Sequence, residues 1–168
     1  LKDAGRDVIA VGKIFDIFDG EGVTEKIKTT GNTNGIAFTK ALQTRDFEGL
    51  AFVNLVDFDM LYGHRRDVAG YAAAATEFDK FVADFIPGMR EGDILMVTAD
   101  HGCDPSYTKT TDHTREYVPY LICGKGVKPG VDLGTRLCFG TIAQTICDYL
   151  GVDASTLDGQ SVLGDILA

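Results

Sequence analysis

The stretch LAFVNLVDF, residues 50–58, is an almost continuous apolar run, interrupted only at Asn54 and Asp57. Runs of this kind, rich in β-branched and aromatic residues, are typical of strands that are buried on both faces of a sheet. The chain contains three further stretches of the same character, DVIAVGK at 7–13, DILMVTAD at 93–100 and VPYLICG at 118–124. Each of the four stretches is therefore predicted to be a buried strand.

Segments with helical periodicity alternate with these strands. Residues 66–86 place apolar side chains at steps of three and four, Asp67 suits a first turn, and Pro87-Gly88 would end the helix. The other segments are predicted as helices at 34–44, 140–151 and 161–167, and as loop with some helix at 21–33. This alternation predicts an α/β fold with a mainly parallel sheet flanked by helices, in one domain.

Composition places the chain among ordinary globular proteins. Its 168 residues are 45% hydrophobic and 24% charged, which allows a sizeable core. The net charge of −9 argues against a general nucleic-acid binder. No apolar run approaches the roughly 20 residues of a membrane span, and the polar start LKDAGRD is not a signal peptide.

The four cysteines show no CxxC spacing, and three of them lie in apolar stretches. They are Cys103, Cys123, Cys138 and Cys147. This usage predicts reduced, buried thiols in a cytoplasmic protein.

All three histidines of the chain lie close to an aspartate that precedes them. The pairs are Asp59 with His64, Asp100 with His101, and Asp112 with His113. Ligands of α/β sheets bind beyond the carboxyl ends of the strands, and each pair lies in a segment that follows a predicted strand. The sequence therefore predicts that carboxylates and imidazoles meet at one edge of the sheet.

These side chains suit a metal centre. Carboxylates with imidazoles, and no cysteine at ligand spacing, favour Mn²⁺, Zn²⁺, Fe²⁺ or Mg²⁺. Five candidate ligands are too many for one catalytic ion that keeps an open position, but they suit two ions about 3.5–4 Å apart. Such a pair contacts both the attacking and the leaving oxygen in phosphoryl transfer. The five candidates are Asp59, His64, Asp100, His101 and His113.

Simpler roles remain open for single residues. One Asp-His pair alone is often a surface turn or a helix cap, Asp112 could form a turn, and Asp57 could be structural or could support a ligand. Cys103 lies near the predicted site, where we expect a bystander thiol rather than a ligand. The concentration of every histidine beside an aspartate at a strand exit is what favours metal binding.

With these motifs, the sequence resembles the alkaline phosphatase superfamily and, within it, the bacterial phosphopentomutase family. The matching stretches are DVIAVGKIFDIF at 7–18, NLVDFDMLYGHRRDVAGYA at 54–72, VTADHGCDP at 97–105 and TDHTREYVPYL at 111–121. TADHG is shared with the cofactor-independent phosphoglycerate mutases, whereas GHRRDVAGY together with TDHTREYVP is more specific to the pentomutases.

The resemblance implies an α/β metal-binding core that is interrupted by an inserted cap domain. Residues 1–168 would be the carboxyl-terminal portion of this core, and the cap and the amino-terminal part of the core would be absent. The resemblance implies two bound Mn²⁺ ions. It also implies that Lys13 faces the active site, where its ammonium could neutralise a phosphate. Asp59, His64 and His113 match the ligands of one ion, and Asp100 and His101 match two ligands of the other.

The family reaction interconverts ribose or deoxyribose 1-phosphate and 5-phosphate through a phosphothreonine enzyme, with a sugar bisphosphate as activator. No segment here matches the threonine nucleophile or the remaining aspartate ligand, so no catalytic nucleophile is expected in this chain and the chain alone is expected to be inactive. Partners other than pentose phosphates, such as nucleic acid or membrane, are not expected. Two alternatives stay open. The first is a different enzyme of the superfamily, such as a cofactor-independent phosphoglycerate mutase, a metal-dependent phosphatase or a phosphodiesterase. The second is a core fragment that catalyses no reaction.

Overall fold

The computed structural model describes residues 1–167, in which strands and helices alternate from the first strand to the third. The strands are β1 (Asp7–Val11), β2 (Glu25–Ile27), β3 (Gly49–Val53), β4 (Ile94–Thr98) and β5 (Tyr120–Gly124). The α-helices are α1 (Ile14–Ile17), α2 (Asn32–Leu42), α3 (Val68–Phe85), α4 (Gly140–Tyr149) and α5 (Leu163–Ile166). A π-helix at Phe58–Gly63 and a 3₁₀ turn at Ile86–Gly88 complete the order.

The first strand is the centre of a parallel three-stranded sheet in the order β2-β1-β3. Ile9 and Val11 face one side, where they pack against Leu42, and Ala10 faces the other side, where it packs against Ile14. Because both faces are covered, the whole run must be apolar, which is why DVIAV lacks the alternation of a half-exposed strand. The predicted α/β fold with helices flanking a parallel sheet is confirmed.

Two features of the sheets differ from the prediction. Residues 25–27 form an edge strand in a segment predicted as loop with some helix, because β1 offers a free edge that pairs with them regardless of their polar composition. Strands β4 and β5 pair with each other antiparallel, outside the three-stranded sheet. Parallel neighbours need a crossover, usually helical, and residues 99–119 contain no helix, so the chain turns back beside β4.

The longest helix begins and ends as predicted. Asp67 precedes α3, and its carboxylate accepts a hydrogen bond from the Gly70 N–H at 2.8 Å. The helix ends at Phe85, and the turn containing Pro87 and Gly88 follows it.

The packing of α3 is looser than its periodicity predicts, since only Ala74 and Phe81 are buried along its length. Tyr71 and Phe78 are half-buried and pack edge-on against Phe58, at ring-centroid distances of 5.3 and 6.5 Å. Through these two contacts α3 supports the π-helix, which carries the first of the predicted ligands.

Two expectations drawn from composition have different outcomes. The burial predicted for the cysteines is wrong, because Cys138 is exposed and Cys123 and Cys147 are only half-buried, although all four thiols are free. Within residues 1–167, no helix combines the length and the apolar character needed to cross a bilayer.

Candidate metal centre

The π-helix places Asp59 and His64 on one face. The strand predicted to run to Phe58 ends at Val53, and the chain then winds into this helix. The His64 N–H donates to the Asp59 carbonyl at 3.0 Å, which is the five-residue step of a π-helix. This main-chain bond holds the two residues beside each other, and their side chains meet, with Asp59 Oδ1 3.3 Å from His64 Nε2.

The antiparallel pairing of β4 and β5 brings the other two histidines together. Thr98 pairs with Tyr120, so the connection between the strands leaves and returns at the same end. Inside this connection, Thr114 N–H donates to the Gly102 carbonyl at 3.0 Å and pinches the loop. As a result His101 and His113 lie face to face, with ring centroids 3.7 Å apart and planes 22° apart.

Asp59, His64, His101 and His113 form one cluster, and Asp100, whose carboxylate is 76% exposed, contacts it only through its neighbour His101. Asp59 Oδ1 lies 3.3 Å from His64 Nε2 and 3.4 Å from His113 Nε2, and Asp100 Oδ1 lies 3.7 Å from His101 Nε2. Ligand atoms of Asp59, His101 and His113 all lie within 4.8 Å of one another, which is close enough for a shared cation. Asp59 and His113 of this trio belong to one predicted ligand set and His101 belongs to the other, and the division of the five residues between two ions stays a prediction.

Hydrogen bonds fix which imidazole nitrogen is free. His64 Nδ1 lies 2.6 Å from the Thr111 carbonyl, and His101 Nδ1 lies 3.1 Å from the Gly102 carbonyl. A carbonyl oxygen only accepts, so each Nδ1 carries the proton and each neutral ring keeps its lone pair on Nε2. Metal-binding histidines are held in the same way, by an N–H that donates to a carbonyl or carboxylate.

The carboxylate of Asp59 completes the fit to a cation. Its Oδ1 is buried and has no hydrogen-bond partner among residues 1–167. The Nε2 of His64, which carries a lone pair when the ring is neutral, lies 3.3 Å from this oxygen, and the Nε2 of His113 lies 3.4 Å from it. A buried carboxylate oxygen that faces lone pairs is unfavourable, and a divalent cation bound between these atoms would satisfy all of them. The donor set therefore fits a metal ion.

Two other acidic residues have local structural roles. Asp57 accepts a hydrogen bond from the Asn32 N–H at 2.7 Å, and its own N–H donates to Asn32 Oδ1 at 3.0 Å, so it caps the start of α2. Asp112 is exposed, and its carboxylate accepts from the His113 N–H at 2.8 Å, as in a turn. These contacts agree with the simpler roles considered for both residues.

Lys13 and Cys103 border the cluster. Lys13 Nζ is exposed and lies 2.8 Å from the sulfur of Met60, the residue after Asp59, so its role at a phosphate stays a prediction. Burial raises the pKa of the Cys103 thiol, and the negative charge of Asp59 raises this pKa further.

No role was predicted for Arg66, although it lies in GHRRD, residues 63–67, one of the stretches that carry the resemblance. Its guanidinium reaches across to the main-chain carbonyls of Thr110 and Asp112, in the loop that carries His113. The only signal in the sequence was the motif itself. Every residue has a main-chain carbonyl, so the residue types at 110 and 112 do not indicate that Arg66 binds there.

An α/β fold that collects carboxylates and imidazoles beyond its strands is typical of metal-dependent enzymes. The chain belongs to the Metalloenzyme superfamily, whose sequence profile matches residues 2–154. It is 54% identical to a phosphopentomutase of Acetivibrio thermocellus over 163 aligned residues. The aligned region covers 97% of this chain and 42% of the relative. Phosphopentomutases of Lachnoclostridium phytofermentans and Symbiobacterium thermophilum are each 53% identical, over 99% and 90% of this chain. The chain spans about two fifths of the length of these relatives.

Proposed function

We propose that residues 1–168 are the carboxyl-terminal portion of the metal-binding core of a phosphopentomutase, an enzyme that interconverts ribose or deoxyribose 1-phosphate and 5-phosphate. The observation that carries the proposal is the buried Asp59 Oδ1, which faces the Nε2 atoms of His64 and His113 and has no hydrogen-bond partner in the described part of the chain. The relatives that match nearly the whole chain carry the name phosphopentomutase. The cap domain and the rest of the core would belong to the full-length protein that contains this chain, called the parent protein below.

In this proposal two Mn²⁺ ions are held at the cluster. Asp59, His64 and His113 would hold one ion, and Asp100 and His101 would contribute two ligands to the other. When bound, such ions stabilise the negative charge that spreads over a phosphoryl group during its transfer. The main-chain carbonyls of Thr111 and Gly102 support this role, because they hold the imidazoles of His64 and His101 with Nε2 free.

Lys13 would neutralise a phosphate of the bound pentose from the rim of the cluster, where its ammonium is exposed. The phosphorylated threonine would come from the part of the parent protein outside this chain. Its P–O bond breaks as a sugar hydroxyl takes the phosphoryl group, which gives a 1,5-bisphosphate. The other phosphate of the sugar then returns to the threonine and leaves the isomeric monophosphate.

The proposal also defines partners and compartment. A pentose phosphate is the substrate, and a sugar bisphosphate, the intermediate of the reaction, acts as activator by phosphorylating the threonine. The net charge of −9 disfavours nucleic acid as a partner. The four free cysteines suit a reducing compartment, so we place the parent protein in the cytoplasm.

The test is the conversion of ribose 1-phosphate to ribose 5-phosphate by the parent protein in the presence of Mn²⁺. Replacing His113 with alanine should lower turnover by several orders of magnitude, because an imidazole facing Asp59 is lost. Glu91→Gln is the matched control, since this carboxylate is 86% exposed and precedes β4 at the end away from the cluster. The 168-residue chain alone should show no mutase activity.

Other outcomes would decide between the alternatives. A His113→Ala enzyme with normal turnover would show that the site is assigned wrongly. A parent protein that isomerises phosphoglycerate, or hydrolyses phosphate esters, in preference to acting on ribose 1-phosphate would be another enzyme of the superfamily. A parent protein that binds no Mn²⁺ and acts on none of these substrates would make the chain a non-catalytic core.

A further inference from the structure

We propose that Arg66 is a positioning residue that holds the loop carrying His113 against the π-helix, so that the imidazole stays in place to bind metal. The inference rests on the metal site of the proposed function. It concerns a residue that contacts no predicted ligand side chain and acts through the main chain of the loop instead.

The guanidinium of Arg66 uses every N–H that it has. An arginine side chain offers five N–H donors in a planar fork, and all five are directed at main-chain carbonyls here. Nε and Nη2 donate to Thr110 at 3.0 and 2.5 Å, and Nη2 also donates to Asp112 at 2.6 Å. Nη1 donates to Gly63 at 3.1 Å and to Asp104 at 2.9 Å. One side chain therefore connects the end of the π-helix with both ends of the segment 104–112.

The backbone of Arg66 is also unusual, with a φ of 57° in the left-handed region. Few residues other than glycine adopt this conformation, and it persists only where surrounding contacts enforce it. The Arg66 N–H donates to the Gly63 carbonyl at 3.0 Å, so the turn follows directly on the π-helix. This turn directs the side chain towards the loop rather than along α3.

On the far side of His113 the loop is held by Thr114, whose N–H donates to the Gly102 carbonyl at 3.0 Å and whose hydroxyl accepts from the Asp104 N–H at 2.6 Å. Residues 106–113 are exposed and contain neither helix nor strand. On the side that faces the cluster, the loop is held by a hydrogen bond from His64 Nδ1 to the Thr111 carbonyl oxygen, with 2.6 Å between the two atoms. The carbonyl of Asp112 belongs to the peptide group that joins it to His113, and this group is rigid and planar. The bond from Arg66 to that carbonyl therefore fixes the position from which the His113 side chain projects.

Lysine cannot reproduce this arrangement, because its single ammonium group has three donors and no planar fork. Arg66→Lys keeps the charge and removes the geometry. The neighbouring Arg65 provides the matched control, since it is exposed and its guanidinium makes no hydrogen bond or ion pair within residues 1–167. Arg65→Lys makes the same chemical change one position away.

The experiment titrates Mn²⁺ into the metal-free parent protein and into both variants, with electron paramagnetic resonance to count bound ions. Loss of a residue that supports a metal ligand typically weakens metal binding by about 10–100-fold, and we expect this loss for Arg66→Lys and none for Arg65→Lys. Electron spin echo modulation should also show fewer imidazole nitrogens coupled to the bound Mn²⁺ in Arg66→Lys. A purely structural role would leave this signature unchanged in the folded protein.

The outcomes separate this inference from the proposed function. If the unmodified protein binds Mn²⁺ and Arg66→Lys binds it equally well with the same imidazole signals, the role of Arg66 is wrong and the metal site stands. If the unmodified protein binds no Mn²⁺, both the proposed metal site and the role of Arg66 are wrong. If Arg66→Lys does not fold, amide hydrogen exchange of the unmodified protein decides. Protection across 104–113 supports the inference, and exchange at the rate of an unstructured peptide overturns it.

Discussion

At the scale of single residues, Asp59 is a buried carboxylate whose environment is unfavourable unless a cation is bound. Its Oδ1 is buried and meets no hydrogen-bond donor among the residues that the structure describes, and the Nε2 atoms of His64 and His113 lie 3.3 and 3.4 Å away. The Nδ1 proton of His64 is used by the Thr111 carbonyl, so this ring in its neutral form presents a lone pair to the carboxylate. The arrangement opposes stability without a cation and favours the binding of one.

Replacing Asp59 with asparagine should therefore stabilise the protein in EDTA and abolish its stabilisation by Mn²⁺. The new NH₂ group can donate to the imidazole lone pairs, which removes a penalty on the order of 1 kcal/mol. In the unmodified protein, Mn²⁺ at 100 times its dissociation constant should add about 2.7 kcal/mol of stability. Thermal unfolding in EDTA and in Mn²⁺ measures both effects.

Asp3→Asn is the control for this prediction, because Asp3 is exposed and its carboxylate makes no hydrogen bond or ion pair within residues 1–167. It should behave like the unmodified protein under both conditions. An Asp59→Asn protein that is less stable in EDTA, or that still gains stability from Mn²⁺, would contradict the account of this carboxylate.

At the scale of elements, the π-helix and the β4–β5 pair bring distant segments into one site. The π-helix brings Asp59 and His64 together. The antiparallel pairing of β4 and β5 places the two ends of the loop between these strands side by side. Gly63, at the end of the π-helix, is buried against Cys103 of the loop, so the two elements touch at a residue without a side chain.

Gly63→Ala should separate these two elements. A Cβ at this position would lie 2.5 Å from Cys103 Sγ and 2.9 Å from the Phe58 carbonyl, and both distances are too short. We expect a loss of about 1–3 kcal/mol in the free energy of unfolding, together with weaker Mn²⁺ binding. Urea unfolding and Mn²⁺ titration test this, with Gly126→Ala as control, since a Cβ there would meet no atom within 4 Å. Equal stability of the two variants would show that the contact is not tight.

The elements also show what the sequence could and could not predict. Runs such as 7–13 and 50–58 predicted strands because burial on both faces demands apolar residues throughout. The edge strand at 25–27 was missed because its pairing depends on the free edge of β1 rather than on its own residues. The π-helix was missed for a similar reason, since no residue pattern in NLVDFDMLYG distinguishes it from the end of a strand.

At the scale of the whole molecule, the clustering of histidines and aspartates was easier to predict than their arrangement. The joint occurrence of three histidines with three aspartates identified the cluster, because few other roles require both side chains at strand exits. The sequence could not predict that His101 would stack on His113, since the stacking follows from the antiparallel pairing of β4 and β5. The bonds from Arg66 end on main-chain carbonyls, which any residue provides.

The measurement that tests the central claim most directly is anomalous X-ray scattering at the manganese edge from crystals of the parent protein grown with Mn²⁺. We expect manganese peaks within about 2.0–2.3 Å of ligand atoms from Asp59, His64 and His113, and a second peak beside Asp100 and His101 about 3.5–4 Å from the first. Crystals that bind Mn²⁺ elsewhere, with no peak at these five side chains, would contradict the account.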